Sequence, residues 1–353
     1  MRQGLISGAV VVLLVACHSV KDQLDFNHWV QPVPRHSVLI DTAWYTWGGS
    51  MVSGPDGRYY LFYARWPRVT GFRGWLANSE IALATADDPS GPYVFQKTVL
   101  TGRGDDFWDA TAAHNPHIKH FGHKYYLYYI SNHYRDLGMD EWHNRIYTQR
   151  IGVAIADHPD GPWERLDQPI IELQPGKAAY GYVVNPSVAL GPDGIYYLLF
   201  KTRPPGSEKE FGKVFTTTHA MATAPSPAGP FTIAEKPIFT EGTGEDPYLW
   251  VQDDRFYALV KDMYGQFTGE KSLALFTSVN GQDWQPASHP LAMPLRLTWE
   301  DGTVDSLQHL ERPQLWIDAD GHRGILFCAA SYADLARNRD WNTFNVQIPL
   351  QWK

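Results

Sequence analysis

Tyr59-Tyr60-Leu61-Phe62-Tyr63 follows the turn Pro55-Asp56-Gly57. A short aromatic run behind a glycine-bearing turn reads as the second arm of a β-hairpin. The same pattern returns four times: Tyr125-Tyr126-Leu127-Tyr128-Tyr129, Tyr196-Tyr197-Leu198-Leu199-Phe200, Phe256-Tyr257-Ala258-Leu259-Val260 and Gly324-Ile325-Leu326-Phe327-Cys328. The runs start 60 to 71 residues apart, each behind a turn such as Pro192-Asp193-Gly194 or Ala319-Asp320-Gly321. A second repeat is interleaved with the first. Small-residue strands such as Ile81-Ala82-Leu83-Ala84-Thr85-Ala86 and Ile151-Gly152-Val153-Ala154-Ile155-Ala156 lead into Asp88-Pro89-Ser90-Gly91-Pro92-Tyr93 and His158-Pro159-Asp160-Gly161-Pro162-Trp163. A fourth strand is expected from the aromatic residue onward. Five copies of a four-stranded antiparallel meander, at this period, predict an all-β protein folded as a five-bladed β-propeller.

The rest of the composition agrees. The chain has 353 residues, with 30 Gly and 25 Pro spread along it, as many short strands and turns require. Aromatic residues make up 14%, which excludes a disordered chain. The net charge of -8 speaks against a nucleic-acid binder, so no nucleic-acid partner is expected. Two cysteines, Cys17 and Cys328, rule out a disulfide scaffold. Cys328 lies in an apolar run and reads as a buried thiol.

The first residues read as an address. Leu5 to Cys17 is an apolar run too short to cross a bilayer as a helix and of the size of a signal-peptide core. Leu14-Val15-Ala16-Cys17 resembles the lipobox of bacterial lipoproteins, in which the cysteine carries the lipid. The expected organisation is a lipoprotein signal over 1–17, a polar tether over 18–38 and a single propeller domain over 39–353. The resemblance implies a protein held to the bacterial outer membrane, on its periplasmic or cell-surface side, through lipid on Cys17 alone; a monomer is expected.

Propeller geometry then selects the residues to weigh. Adjacent strands in a blade are antiparallel, so the starts of first strands and the ends of second strands surround one mouth of the central channel. The first-strand residues there are Trp47-Gly48-Gly49-Ser50, His114-Asn115-Pro116-His117, Asn185-Pro186-Ser187, Glu245-Asp246-Pro247 and Glu311-Arg312-Pro313. The second strands end at Arg65-Trp66, Asn132-His133, Lys201-Thr202-Arg203, Lys261-Asp262 and Ser331-Tyr332. Carboxylates, cations and imidazoles therefore converge.

The blade rhythm and Glu245-Asp246-Pro247 resemble the five-bladed propeller glycoside hydrolases, the fold shared by families 43, 32, 62 and 117. The likeness spans roughly residues 40 to 350. Glu245 stands where the Glu-Gly-Pro of family 43 holds the general acid. The chain departs from that family at blade one, which offers Gly48 and no carboxylate, and at blade three, which offers Asn185 in place of an aspartate.

Hydrolysis of a glycosidic bond needs a proton donor and a second carboxylate. Glu245 is the candidate acid, which requires its carboxyl to titrate high. Glu311 and Asp109 are candidates for the second carboxylate, Asp109 by hanging over the pocket ahead of blade two. Asp41 and Asp262 are weaker alternatives. Candidate substrate contacts are His114, Asn115, Asn185, Arg65, Trp47, Trp66, Lys201, Lys261 and Asp246. Of Trp44, Trp47, Trp66, Trp75 and Trp108, two or three are expected to touch a sugar. No cofactor or metal is required. His114 and His117 are three apart on a strand and face opposite ways, which disfavours zinc. A structural calcium in the channel is compatible with the carboxylates. The reading is a glycoside hydrolase, exo-acting on oligosaccharides of a polysaccharide, whose substrate is neutral or, given the cations, anionic. Its rivals are a carbohydrate-binding propeller without catalysis and a phosphorylase or transferase on the same scaffold.

Overall fold

The computed structural model describes residues 24–204, 207, 217–334, 337 and 342–351. Four sheets each hold four consecutive antiparallel strands. Blade one runs Trp44–Ser53, Tyr59–Pro67, Glu80–Ala86 and Val94–Leu100. Blade two runs His114–Phe121, Lys124–Ser131, Arg150–Ala156 and Glu164–Arg165. Blade three runs Tyr180–Leu190, Tyr196–Arg203, Thr218–Ala224 and Thr232–Ile233. Blade four runs Gly244–Gln252, Arg255–Asp262, Ser272–Ser278 and Gln285–Pro294. The aromatic runs are the second strands, as their period predicts. The fourth strands begin one residue after Tyr93, Trp163, Phe231 and Trp284.

Blade five closes the ring differently. Its strands Val304–Ile317, Arg323–Tyr332 and Thr343–Gln351 are joined by an outermost strand from the other end of the chain, Val38–Leu39. Val38 pairs with Val346 and Leu39 with Asn345, antiparallel. The short strand Arg296–Thr298 extends the sheet at the start of Val304–Ile317.

This arrangement corrects the expected tether. Residues 1–23, including Cys17, lie outside the described residues, but from Leu24 onward the chain is docked. Leu24, Phe26 and Val33 are buried in one apolar cluster with Trp250, Leu297 and Leu350. The Phe26 ring meets that of Trp250 at a centroid distance of 6.3 Å. The segment reads as polar on average, yet three apolar anchors suffice to fix it. Cys328 is fully buried, as its apolar setting predicts, and burial raises its thiol well above the usual range.

The innermost strands carry a feature that repeats around the axis. Gly48, Asn115, Asn185, Asp246 and Arg312 have φ of 48°, 49°, 57°, 53° and 54°. Each sits at a break in register with the second strand of its blade. A left-handed residue inserted in a strand is a β-bulge, and Asn and Asp tolerate that conformation better than most. Four of the five are followed by proline, which a bulge accommodates because no ladder donor is lost. The mouth residues thus lie at bulges within the strands, and the strands of blades one, three and five continue beyond them to form the lip.

Candidate active site at the propeller mouth

The bulges decide which side chains face the cavity. Along a regular strand Glu245 and Asp246 would point to opposite faces. The left-handed turn at Asp246 breaks that alternation, and both line one cavity of about 450 Å³. His114 and Asn115 form a second such pair on the wall, and Val184 and Asn185 a third. Glu311, Lys201, Trp47 and Trp66 complete the part that the sequence singled out.

A chain of polar contacts runs across the floor. The Asn115 amide donates to Asn185 Oδ1 at 2.8 Å, and Asn185 donates to Asp246 Oδ1 at 2.6 Å. The backbone N–H of Arg312 donates to Asp246 Oδ2 at 3.3 Å, and its guanidinium Nη1 lies 3.9 Å from Oδ1. Beside this chain is an ion-pair series. Lys201 Nζ is 3.0 Å from Glu245 Oε1, and Lys261 Nζ is 3.6 Å from Glu245 Oε2. Lys261 also pairs with Glu311. A shared ammonium keeps the Glu245 and Glu311 carboxylates no farther apart than the roughly 5–10 Å that glycosidase carboxylates span.

These surroundings drive the two neighbouring carboxyls apart. Burial pushes Glu245 up, but Lys201 and Lys261 together outweigh it and hold the group at about 2. Burial also pushes Asp246 up, and there it prevails over the attraction of Arg312, helped by the charges of Glu311 and Glu245. Asp246 titrates at about 6. The high-titrating carboxyl expected at Glu245 is therefore found one residue later. The sequence leaves open an ion pair of Glu245 with Lys261 or Arg312; the structure has the one with Lys261 and a nearer one with Lys201, which the sequence reading missed.

His114 is buried with Nδ1 2.8 Å from Ser79 Oγ, and its ring stacks on Trp75 at 4.7 Å. Burial, with the charge of Arg312 added, lowers it to about 3, so it is a neutral imidazole. His117 lies deeper, between Gln314 Oε1 (2.7 Å) and the backbone of Val188, and is likewise neutral.

Several expected contacts stand elsewhere. Asp109 is fully buried away from the cavity, held by Arg103 at 2.6 Å, Arg165 at 3.1 Å and the Tyr129 hydroxyl at 2.7 Å. It cannot act as the base; three partners satisfy its oxygens. Arg65 turns sideways in its blade to Glu80, 2.7 Å away, between the rings of Trp44 and Phe95. Lys261 is not on the cavity wall and acts through Glu245 and Glu311. Asp262 caps its own loop by accepting from the backbone N–H of Gln266, Phe267 and Thr268. Asp41 does the same for Ala43 and Trp44. Of the five tryptophans weighed, Trp47, Trp66 and Trp75 line the cavity. Trp44 covers Arg65, and Trp108 stacks on Tyr129.

The sequence reading missed Phe72, Trp142, Ile146, Gln149, Tyr182 and Tyr264, which also line the wall. Phe72 and Trp142 sit in the long connections between second and third strands of blades one and two, the latter on the helix Glu141–Tyr147. The length of those connections is the signal that could have found them.

No group of three or more His, Cys, Asp and Glu side chains placed to hold a metal occurs among the described residues. The Arg312 guanidinium is buried 3.9 Å from Asp246, which disfavours a cation beside that carboxyl.

The sequence matches no family model and no curated protein. The fold has many solved counterparts. A family 117 glycoside hydrolase of the marine bacterium Zobellia galactanivorans superposes with a TM-score of 0.61 at 16% identity, over 91% of this chain and 89% of that one. An alpha-L-arabinofuranosidase of Lactobacillus brevis gives 0.60 at 14%, over 94% and 95%. A family 43 beta-xylosidase/alpha-arabinofuranosidase from a compost microbial metagenome, solved with xylotriose, gives 0.59 at 16%, over 92% and 96%. The chain has the five-bladed propeller fold of glycoside hydrolases of families 43 and 117.

Proposed function

We propose that the protein is a glycoside hydrolase that removes sugar units from the ends of oligosaccharides. The observation that carries this reading is the split pair Glu245–Asp246 in one cavity. Two carboxyls whose surroundings separate their titration divide the acid and base roles between them. Asp246, at about 6, keeps a proton closest to neutrality and serves as donor to the leaving oxygen. Glu245 stays ionised beside Lys201 and supplies the negative charge that opposes an oxocarbenium-like transition state or takes a proton from water. This assignment exchanges the role that the family resemblance implies for Glu245.

Wall residues come from all five blades, from Trp47 through His114, Tyr182 and Glu245 to Glu311. Such a pit suits a chain end better than the middle of a polymer. Trp47, Trp66 and Trp75 supply aromatic surface for the apolar face of a sugar. Lys201 and Lys261 are engaged by Glu245 and Glu311, and Arg65 by Glu80, which favours a neutral sugar over an anionic one. Lipid on Cys17 would hold the enzyme to the outer membrane beside its polymer.

The same lysines support a second reading, a carbohydrate-binding propeller in which the carboxylates are neutralised. Release of reducing ends from a panel of neutral oligosaccharides and aryl glycosides separates the two. Turnover that Glu245→Gln and Asp246→Asn abolish, with binding retained, supports the hydrolase. Binding without turnover for every substrate supports the second reading. Product formation that requires phosphate would point to a phosphorylase.

A further inference from the structure

Below the floor of the pit, against Gly48, Arg312 has only 1% of its surface exposed. None of its Nε, Nη1 and Nη2 groups meets a hydrogen-bond acceptor among the described residues. The nearest carboxylate is Asp246, with Oδ1 at 3.9 Å, and both Asp246 oxygens already accept, from Asn185 and from the Arg312 backbone. Two positions along the same strand, Gln314 holds a second buried donor without a partner, Nε2. Its Oε1 is taken by His117 and Ser50.

The ion pairs leave Arg312 the weakest partner. Lys201 and Lys261 are matched by Glu245 and Glu311, and Arg312 has Asp246 alone, 3.9 Å away, among the described residues. Lys119 donates to the Tyr248 hydroxyl at 3.0 Å and forms no ion pair among the described residues. His114, His117, His219 and His309 are held neutral, each first by burial and then by a nearby cation, which marks the same positive field. A buried guanidinium without acceptors is costly. Water would satisfy its N–H groups but leave its charge 3.9 Å from a carboxyl that burial and two neighbouring carboxylates incline to keep its proton. A small anion in close packing supplies both the acceptor and the charge.

We propose that the propeller axis binds a small monovalent anion, of the class of chloride, against the guanidinium of Arg312. Asn115 Oδ1, a buried acceptor without a partner, is then reached through water or by rotation of its amide. This site does not depend on the hydrolase reading, since neither readout below involves turnover.

The test uses the whole protein. Crystals soaked in bromide are expected to show an anomalous peak within hydrogen-bond distance of the Arg312 guanidinium. In solution, replacing gluconate with chloride at fixed ionic strength is expected to raise Tm by about 2 °C at tenfold saturation of the site. Arg312→Gln should remove that rise. A site that refines as water only, or the same Tm in both salts, overturns the proposal. Should Arg312→Gln fail to fold, the bromide peak in the unaltered protein decides.

Discussion

Gly48 and Arg312 occupy one place at the centre of the ring. A Cβ on Gly48 would lie 3.3 Å from Arg312 Cγ and 3.5 Å from Asn115 Oδ1. Gly48 also adopts φ of 48°, the conformation its four counterparts reach with Asn, Asp and Arg. Blade one thus lacks a side chain at the hub because blade five fills the space.

Gly48→Ala should therefore destabilise the fold by about 1–2 kcal/mol, the cost of a left-handed alanine, with a further penalty from crowding Arg312. Thermal unfolding of the variant, alone and combined with Arg312→Ala, separates the two terms. The double variant should regain the crowding part only; full additivity would refute the contact.

Activity should fall as pH rises through about 6, because the proton on Asp246 is lost there. The sign follows from a folded value raised above that of the free carboxyl. Asp246→Asn should remove this limb and lower kcat by roughly 10²–10⁴-fold. A limb that survives the substitution would assign the proton to another group.

Glu245 contributes to stability with the opposite sense. Its folded value lies below that of a free carboxyl, so its contribution is complete above about pH 4.5 and is lost as pH falls toward about 2. Lys201→Met removes its nearest cation and should move the acidic limb of activity upward. The pH profile of kcat/KM reads the shift directly; an unmoved limb would mean that Lys201 does not govern Glu245.

Asp109→Asn should cost about 3–5 kcal/mol, since it leaves Arg103 and Arg165 without their buried partner. Activity per folded molecule should remain. A loss of kcat without loss of Tm would restore Asp109 to the chemistry.

Phe26→Ala should cost about 3–5 kcal/mol, as for a buried aromatic ring. Chemical denaturation measures it. A change below 1 kcal/mol would return this segment to the role of a loose lead.

The sequence made the architecture legible because a propeller repeats its hydrogen-bonded module, and an apolar run, aromatic-rich in four of the five blades, returns behind its turn in each. It also placed Glu245, Asp246, Glu311, His114, Asn115 and Asn185 at one mouth, since that follows from antiparallel strands alone. What it could not give is side-chain direction. Asp109 and Arg65 sit within a few residues of the mouth, yet each turns to a partner on a neighbouring strand or loop. Asp246 faces the pit only because a bulge overrides the two-residue period. Of the ion pairs that invert the titration of Glu245 and Asp246, Lys261 faces Glu245 across one hairpin, but those of Lys201 and Arg312 join different blades, and no local pattern encodes them.

The Val38–Leu39 strand also sets an order of events. Thr343–Gln351 leaves the ribosome after every other strand of the propeller, and its outer neighbour leaves before them. The circle can be fastened only once all five blades have been made. Until then four blades must persist with an open gap, and the pit that draws a wall from each blade does not yet exist.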